Sequence, residues 1–247
     1  MKVVIVGYGH VGKAIKASFP DALTYDPYLN LGNKDDLKNV DVAFVAVPTP
    51  SLDNGDCDIS IVENVVKEIN AKIIVIRSTV KIGTTKYLND KYHKNIVFMP
   101  EFIGVSKGHI YKNDNDVPYI VIGKEDNNDI SLLKNIYKEK EIHIVSTKEA
   151  ETSKYMLNAF LALKVSFANE IYDLCVKENI SYEEVKNILL LDPRIGKSHL
   201  NVNVDAQGYN GPCLPKDIKA LEKKMEEDNS DHLIISSVIN KNNKYIK

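Results

Sequence analysis

The stretch that decides the fold is VVIVGYGHVG, residues 3–12. Four consecutive apolar residues are typical of a central parallel strand that is buried on both faces. They lead into a G-x-G-x-x-G pattern followed by helical spacing, which is the context that a dinucleotide-binding turn requires. In such a turn Gly7 makes the tight bend, Gly9 admits a pyrophosphate and Gly12 lets the helix pack closely on the strand. The phosphates are then expected at the N-terminus of the first helix.

A second strand, predicted at residues 22–25, ends at Asp26. This acid lies about twenty residues beyond the first glycine, as the dinucleotide fingerprint requires. A carboxylate at this place accepts hydrogen bonds from the adenosine ribose hydroxyls and repels a 2′-phosphate. The sequence therefore predicts NAD rather than NADP as the cofactor.

Strand-like and helix-like segments alternate through the rest of the N-terminal half, which predicts a doubly wound parallel sheet of the Rossmann type. The strands are predicted at residues 42–47, 73–76, 96–98, 119–122 and 142–145, and the helices at 60–70, 84–92 and 129–139. Ligands of such sheets bind beyond the carboxyl ends of the strands, so the loops 47–50, 77–80 and 99–102 are expected to converge on the site. The predicted cofactor contacts are Gly7, Gly9, His10, Val11, Gly12, Asp26, Val47, Thr49, Pro50, Ser78 and Thr79.

Two of these loops also allow an ordinary structural interpretation. Ser78 and Thr79 are suited to capping the helix predicted from Thr84, which is a common use of such residues. Glu101 fits an exposed loop carboxylate equally well. The pattern alone leaves both alternatives open.

The C-terminal half is predicted to be a separate all-α domain, residues 147–247, behind a cofactor domain at 1–146. Residues 147–177 form one long amphipathic pattern without proline or glycine, and a helix of this length usually packs against another domain or subunit. Lys154 and Asn158 are four positions apart and share one face of it. Lys154 is a candidate for proton transfer, although a solvated surface lysine is the commoner case.

A cysteine stands in the segment GYNGPCLPKD, residues 208–217. Pro215 is favoured in the first turn of a helix, which places Cys213 near a helix N-terminus, where a thiolate is favoured over a thiol. Gly208 and Gly211 let the backbone come close to a ligand. The sequence thus indicates a nucleophile, with a small buried apolar residue as the alternative.

Composition excludes several classes of protein. The 247 residues carry a net charge of -2 and three cysteines, an odd number without the spacing of a disulfide framework or a zinc site, so no metal is expected. No basic block, membrane-spanning run or signal-peptide core is present, which argues against nucleic-acid and membrane partners and predicts a cytoplasmic compartment. Arg77 and Arg194 are the two arginines among 32 basic residues, which suggests that a planar, bidentate cation is needed at both places.

The order of motifs resembles the UDP-glucose/GDP-mannose dehydrogenase family over essentially the whole chain. The matching landmarks are residues 7–12, 47–50, 56–58, 78–80 with 83–84, 100–102, 153–154 with 158–162, 166–170, 192–196 and 208–217. This family oxidises the primary alcohol of a nucleotide-sugar to a carboxylate in two NAD-dependent hydride transfers. The resemblance implies the same reaction here, with UDP-glucose as the favoured substrate and UDP-glucuronate as the product.

The resemblance also implies a role for each candidate residue. Cys213 would attack the aldehyde to give a thiohemiacetal, whose oxidation leaves a thioester. Lys154, Asn158 and Asp217 match residues that hold a water and stabilise an oxyanion, and Glu101 matches the general base of thioester hydrolysis. Thr79 matches a threonine near that water and the nicotinamide. Arg194 matches an arginine that the neighbouring subunit donates, which implies a homodimer through the long helix. The implied substrate contacts are Phe102, Lys154, Asn158, Arg194, Tyr209, Asn210 and Gly211.

The chain departs from the family pattern in four respects. The segment between Asp26 and Asp41 is a short connector where the family has a longer helical segment. Val105 stands where a second carboxylate is usual, and Asn210 and Pro212 replace commoner Gly and Ser. The chain ends before the family's C-terminal domain, which grips most of the nucleotide. We therefore expect weak substrate binding, a smaller substrate, or a partner chain that supplies the missing grip.

Two other functions fit parts of the pattern. Lys154 with Asn158 also resembles the β-hydroxyacid dehydrogenases, which make one hydride transfer without a nucleophilic cysteine. A non-catalytic NAD-binding scaffold would need none of Glu101, Lys154, Cys213 or Asp217. The sequence favours the nucleotide-sugar 6-dehydrogenase, and it leaves the sugar and the base unidentified.

Overall fold

The computed structural model describes residues 1–104 and 109–246, and the chain forms two compact units. The first unit comprises residues 1–50 and 57–154, and the second comprises residues 51–56 and 155–247. Val105, the position at which the sequence departs from the second carboxylate, lies outside the described residues. The domain boundary predicted at residue 147 stays a prediction.

The first unit contains a sheet whose strand order is β2-β1-β3-β4-β5-β6-β7. The order places β1 next to both β2 and β3, so the chain runs outward in two directions from the first strand, as a doubly wound sheet does. The predicted fold class is confirmed. The strands are β1 (Val3–Val6), β2 (Leu23–Tyr25), β3 (Val40–Val45), β4 (Ala71–Ile76), β5 (Ile96–Phe98), β6 (Tyr119–Gly123) and β7 (Glu141–Val145), and the helices between them are α1 (His10–Ser18), α2 (Ser60–Glu68), α3 (Thr84–Tyr92) and α4 (Ser131–Ile136).

One pair of strands departs from the parallel arrangement of the predicted sheet. Strands β5 and β6 are antiparallel, with Phe98 opposite Gly123. A parallel neighbour needs a long crossover, usually a helix, to return the chain to the starting edge. Between Phe98 and Tyr119 the described residues form only the single 3-10 turn Asp114–Asp116, so β6 runs back in the opposite direction.

Helices cover both faces of the sheet because the side chains of each strand alternate between the two faces. In β1, Val4 and Val6 belong to one core cluster, which includes Val62 of α2 and Leu88 of α3. The other two side chains of β1, Val3 and Ile5, belong to the cluster on the opposite face, together with Ile15 of α1 and Leu133 of α4. Burial on both faces explains why β1 is apolar at every position.

The second unit is helical. It contains most of the 32-residue helix α5 (Thr147–Glu178), followed by α6 (Tyr182–Leu189), α7 (Leu214–Glu227) and α8 (Leu233–Asn242). Its core joins α5, α7 and α8 through buried side chains such as Ala162, Ile218 and Val238. None of the helices in the described ranges combines the length and the apolar character that crossing a membrane requires.

Candidate functional site

The turn between β1 and α1 has the geometry that the glycine motif predicts. Gly7 has a φ of +91°, and a Cβ there would lie 2.5 Å from the Ala46 carbonyl oxygen. A Cβ on Gly12 would lie 2.0 Å from the carbonyl oxygen of Gly7, so only glycine lets α1 pack this closely. Around Gly9 a Cβ would meet nothing within 4 Å. This open approach to the N-terminus of α1 fits a pyrophosphate.

Asp26 is held rigidly at the end of β2. Its Oδ2 accepts a hydrogen bond from the Tyr8 amide at 2.8 Å, and its Oδ1 accepts from the amides of Tyr28 and Leu29 at 3.1 and 3.2 Å. The acid thus caps the 3-10 turn Pro27–Leu29, one of two single turns that form the short connector to β3. A carboxylate has about four lone-pair sites, so capacity remains for ribose hydroxyls.

A cavity of about 650 Å³ opens beside this turn. Its volume lies within the range of small-molecule and cofactor sites, about 300–1,000 Å³. Six predicted cofactor residues line it: Gly7, Gly9, His10, Val11, Asp26 and Val47. Pro48, in the predicted loop 47–50, also lines it. Sequence reasoning missed the rest of the wall, which comes from β1–β3, the connector and one face of α2: Val6, Tyr25, Pro27, Tyr28, Leu29, Ala46, Ile61, Asn64, Val65 and Glu68. For the wall residues on α2, the one indication in the sequence was the i, i+4 spacing of Ile61 and Val65.

The remaining predicted cofactor residues, Gly12, Thr49, Pro50, Ser78 and Thr79, do not line this cavity. The hydroxyls of Thr49 and Ser78 join the loops after β3 and β4. The hydroxyl of Thr49 donates to the Thr79 carbonyl oxygen at 2.8 Å, and that of Ser78 donates to the Val47 carbonyl oxygen at 2.7 Å. Pro50 lies in the first of these loops, where its carbonyl oxygen accepts from the Asp58 amide at 2.9 Å. The hydroxyl of Ser78 is therefore committed to a loop contact and does not cap α3.

The N-terminus of α3 is capped instead by Glu151, a buried residue of α5 that sequence reasoning missed. Its carboxylate accepts hydrogen bonds from the Gly83 amide at 2.5 Å, the Thr85 amide at 2.9 Å and the Thr85 hydroxyl at 2.7 Å. Burial raises the pKa of Glu151, and these hydrogen bonds oppose the rise. Glu151 lies near the start of α5, three residues before Lys154. Its hydrogen bonds therefore connect the start of α5 to the segment that follows Thr79.

Lys154 and Glu101 form the first cluster of candidate catalytic residues, within the first unit. The Lys154 ammonium donates to the Glu101 carbonyl oxygen at 2.6 Å and lies 3.3 Å from Oε2 of the same residue. Both side chains are largely buried, at 9% and 13% exposure. Within the described part of the chain, Oε1 of Glu101 is buried without a hydrogen-bond partner. Glu101 is therefore not the exposed loop carboxylate that the sequence left open.

Asn158, Asp217 and Cys213 form the second cluster, within the second unit. The amide of Asn158 donates to Oδ2 of Asp217 at 2.5 Å, and both residues are buried. Asp217 stands in the first turn of α7, where its backbone amide donates to the Cys213 carbonyl oxygen at 2.9 Å. Cys213 is the N-cap of α7 and is exposed, whereas Cys57 and Cys175 are buried. The helix begins at Leu214 with Pro215 in its first turn, so Cys213 lies at the helix N-terminus that the sequence indicates.

The loop before Cys213 needs glycine at two positions. Gly208 has a φ of +81° and Gly211 a φ of +89°, both in the left-handed region. Tyr209 is buried, whereas Asn210 is exposed and accepts the Gly211 amide on its side-chain oxygen at 2.7 Å. A Cβ on Gly211 would meet nothing within 4 Å, so a ligand has room to approach the backbone there.

The two arginines make different contacts. Arg194 is 85% exposed at its side chain and pairs with Asp192 two residues earlier, with Nε 2.9 Å from Oδ1. Arg77 is buried and pairs bidentately with Asp114, a partner within the same unit. Phe102, the other predicted substrate contact in the first unit, packs edge-on against Tyr119 with ring centroids 5.4 Å apart.

Comparison with known proteins gives concordant results. Residues 29–141 match the NAD binding domain of the UDP-glucose/GDP-mannose dehydrogenase family, and residues 148–244 match the central domain of that family. The first match indicates NAD as the cofactor, and the glycine turn, Asp26 and the adjoining cavity fit such a dinucleotide.

Individual relatives agree. The UDP-glucose 6-dehydrogenase of Rickettsia typhi is 34% identical over 84% of this chain and 50% of its own length. The enzyme of the same name from Pseudomonas aeruginosa is 29% identical over 82% of this chain and 48% of its own length. The chain thus spans about half the length of these relatives. The structure of a UDP-glucose dehydrogenase from Pyrobaculum islandicum shares the fold, with a TM-score of 0.83 at 23% identity over 98% of this chain and 68% of that one. The chain belongs to the UDP-glucose/GDP-mannose dehydrogenase family.

Proposed function

We propose that this chain is an NAD-dependent nucleotide-sugar 6-dehydrogenase that converts UDP-glucose to UDP-glucuronate. The observation that carries the proposal is the position of Cys213, exposed at the N-cap of the 14-residue helix α7. The free amides and the positive dipole end of a helix N-terminus stabilise a thiolate, which is the nucleophilic form of cysteine. Neither a single-step hydroxyacid dehydrogenase nor a binding scaffold needs a thiol placed in this way.

The reaction is proposed to run in three stages. The alcohol carbon first loses a hydride, and its hydroxyl loses a proton, to give an aldehyde. The thiolate sulfur of Cys213 then bonds to the aldehyde carbon, and the resulting thiohemiacetal loses a second hydride and a proton to become a thioester. Water finally adds to the thioester carbon, the C–S bond breaks, and the carboxylate leaves with the thiol restored. Bound NAD supplies the chemistry of a hydride acceptor in both oxidations.

The two clusters supply hydrogen-bond donors for the oxyanion and a proton acceptor for the water that this reaction requires. The Asn158 amide and the Lys154 ammonium are donors, and donors placed where negative charge develops stabilise an oxyanion. The buried Oε1 of Glu101 has no hydrogen-bond partner in the described part of the chain and can accept the proton of the attacking water. Lys154 fixes that residue through both its backbone and its carboxylate oxygens. Asp217 orients the Asn158 amide.

The proposal is tested by incubating the purified chain with a panel of UDP- and GDP-sugars, with NAD or NADP as oxidant. We expect two NADH for each UDP-glucose consumed, UDP-glucuronate as the product, and little turnover with NADP because Asp26 repels its 2′-phosphate. One NADH per substrate with a released aldehyde or ketone would favour the single-step chemistry instead. NAD binding without turnover on any sugar of the panel would favour the scaffold.

We also propose that the active form is a homodimer through α5. Large apolar side chains on this helix are exposed at Met156, Phe160, Phe167 and Leu174, spaced by four, seven and seven residues. This spacing places them along one stripe of the helix. A twofold axis across the helix would cover the stripe of one copy with the same stripe of another. A partner chain that contributes to the nucleotide grip and a cytoplasmic location stay predictions.

Phe160→Glu is expected to convert the dimer to a monomer at micromolar concentration, because it places a charge in the apolar stripe. Light scattering coupled to gel filtration measures the mass directly. Lys134→Glu is the matched control, since it changes the charge at an exposed position of α4, in the first unit and away from the stripe. A monomeric wild-type chain, or a Phe160→Glu variant that stays dimeric, would exclude this interface.

A further inference from the structure

We propose that Asn242, in the last turn of α8, is a positioning residue that fixes the loop carrying Cys213. This inference rests on the proposed function. The side chain of Asn242 is 3% exposed and pairs with the backbone of Tyr209 in both directions. Its Oδ1 accepts the Tyr209 amide at 2.7 Å, and its Nδ2 donates to the Tyr209 carbonyl oxygen at 3.0 Å. The residues joined in this way are 33 positions apart in the chain.

The pair is packed closely against its surroundings. A Cβ on Gly208 would lie 2.6 Å from the Asn242 Oδ1 and 3.1 Å from the Tyr245 Cβ. Asn169 of α5 supports the same stretch, because its Oδ1 accepts the Gly208 amide at 3.3 Å while its Nδ2 donates to the Val165 carbonyl oxygen at 2.8 Å. Two buried asparagines from two helices therefore hold the first residues of the loop.

The far end of the loop is fixed by α7, where the Asp217 amide donates to the Cys213 carbonyl oxygen. Between the two anchors lie Asn210, Gly211 and Pro212, and Gly211 adopts a left-handed backbone. A glycine-containing segment of this kind adopts a single backbone conformation only if both of its ends are held. Without Asn242, Tyr209 loses both of its hydrogen bonds to α8, and the first end of the loop is left with the longer contact of 3.3 Å between Asn169 and the Gly208 amide, while α7 keeps its hydrogen bonds. The thiol and the backbone beside it would then move relative to a substrate, and an error of about 1 Å in such placement costs about 10²-fold in rate.

The test compares Asn242→Ala with Asn240→Ala, an exposed asparagine of the same helix. We expect Asn242→Ala to lower kcat about 10²-fold with little change in the KM for NAD, because the cofactor cradle is untouched. The second readout needs neither substrate nor cofactor: the rate at which iodoacetamide alkylates Cys213, followed by mass spectrometry at neutral pH. This rate should fall at least about threefold as the thiol loses its place at the helix N-terminus. Asn240→Ala should match the wild type in both.

A double variant separates positioning from general destabilisation. A Cβ on Gly208 would clash with the side-chain oxygen of Asn242, which Asn242→Ala removes, so the effects of Gly208→Ala and Asn242→Ala should be strongly non-additive. If Asn242→Ala does not fold, Asn242→Asp, which keeps an acceptor for the Tyr209 amide, is measured in its place. Unchanged kcat and unchanged alkylation in a folded variant would overturn the proposal, even if its melting temperature falls. If the wild type oxidises no nucleotide-sugar, the proposed function fails, and the alkylation rates still decide the role of Asn242.

Discussion

Cys213→Ser is expected to lower the formation of UDP-glucuronate by at least about 10³-fold, because a hydroxyl is a far weaker nucleophile than the thiolate that the N-terminus of α7 favours. Without attack by sulfur the aldehyde carbon carries no thiohemiacetal, and the second oxidation and the hydrolysis have no substrate. The rate is measured by NADH absorbance together with chromatography of the sugar product. In the wild type, acid quenching during turnover followed by mass spectrometry should reveal an acyl group on the peptide that contains Cys213.

Cys175→Ala is the matched control for this experiment. Cys175 is a buried cysteine at the far end of α5, so its loss removes a thiol without touching the candidate site. We expect turnover within about twofold of the wild type, since replacing a small buried side chain by alanine changes packing only slightly. Carboxylate production that survives Cys213→Ser at the wild-type rate would rule out the thioester mechanism.

The second large effect is on stability. Asp114→Asn is expected to cost about 3–5 kcal/mol of unfolding free energy, the typical loss when one partner of a buried ion pair is removed. The two terminal guanidinium nitrogens of Arg77 donate hydrogen bonds to the two carboxylate oxygens of Asp114 at 2.7 and 2.8 Å. The two side chains are 3% and 4% exposed. The variant leaves the Arg77 guanidinium buried without the carboxylate that pairs with it. Urea unfolding measures the loss.

Lowering the pH should remove the stability difference between the wild type and Asp114→Asn. Burial raises the pKa of Asp114, but the charge and hydrogen bonds of Arg77 outweigh it and hold the pKa below its ordinary value. A carboxylate of this kind stabilises the fold fully above its ordinary pKa of about 3.9, and the contribution is lost as the pH falls through the lower folded value. The difference between wild type and Asp114→Asn should therefore be constant near neutral pH and shrink below about pH 4.

Asp90→Asn provides the control, because Asp90 pairs with Lys86 on the surface of α3. Exposed pairs contribute little, so the urea midpoint should stay where it is in the wild type. An Asp114→Asn variant that is as stable as this control would show that the buried pair is dispensable.

Local sequence was sufficient for the elements and for the cofactor turn. β1, α1 and the G-x-G-x-x-G turn follow from the short-range sterics of glycine and from the apolar run before it, and α3 spans Thr84–Tyr92 as the pattern predicts. The chemical candidates were also readable, because Cys213 and Asp26 stand at a characteristic distance from a proline and from a glycine, and Lys154 shares a helix face with Asn158. The direction of β6 was not readable, since it depends on how the chain crosses from β5 to β6, where the described residues form no helix longer than a single 3-10 turn.

Only the tertiary structure decided which contacts hold these residues in place. Arg77 reaches Asp114 across 37 positions, Glu151 reaches Thr85 across 66, and Asn242 reaches Tyr209 across 33. In the sequence Asp114, Glu151 and Asn242 are ordinary polar residues without a motif. A hydrogen bond between distant residues depends on which surfaces the fold brings together, and no local periodicity encodes that. The sequence by itself determined the dinucleotide turn and the candidate nucleophile, and the folded chain determined what positions them.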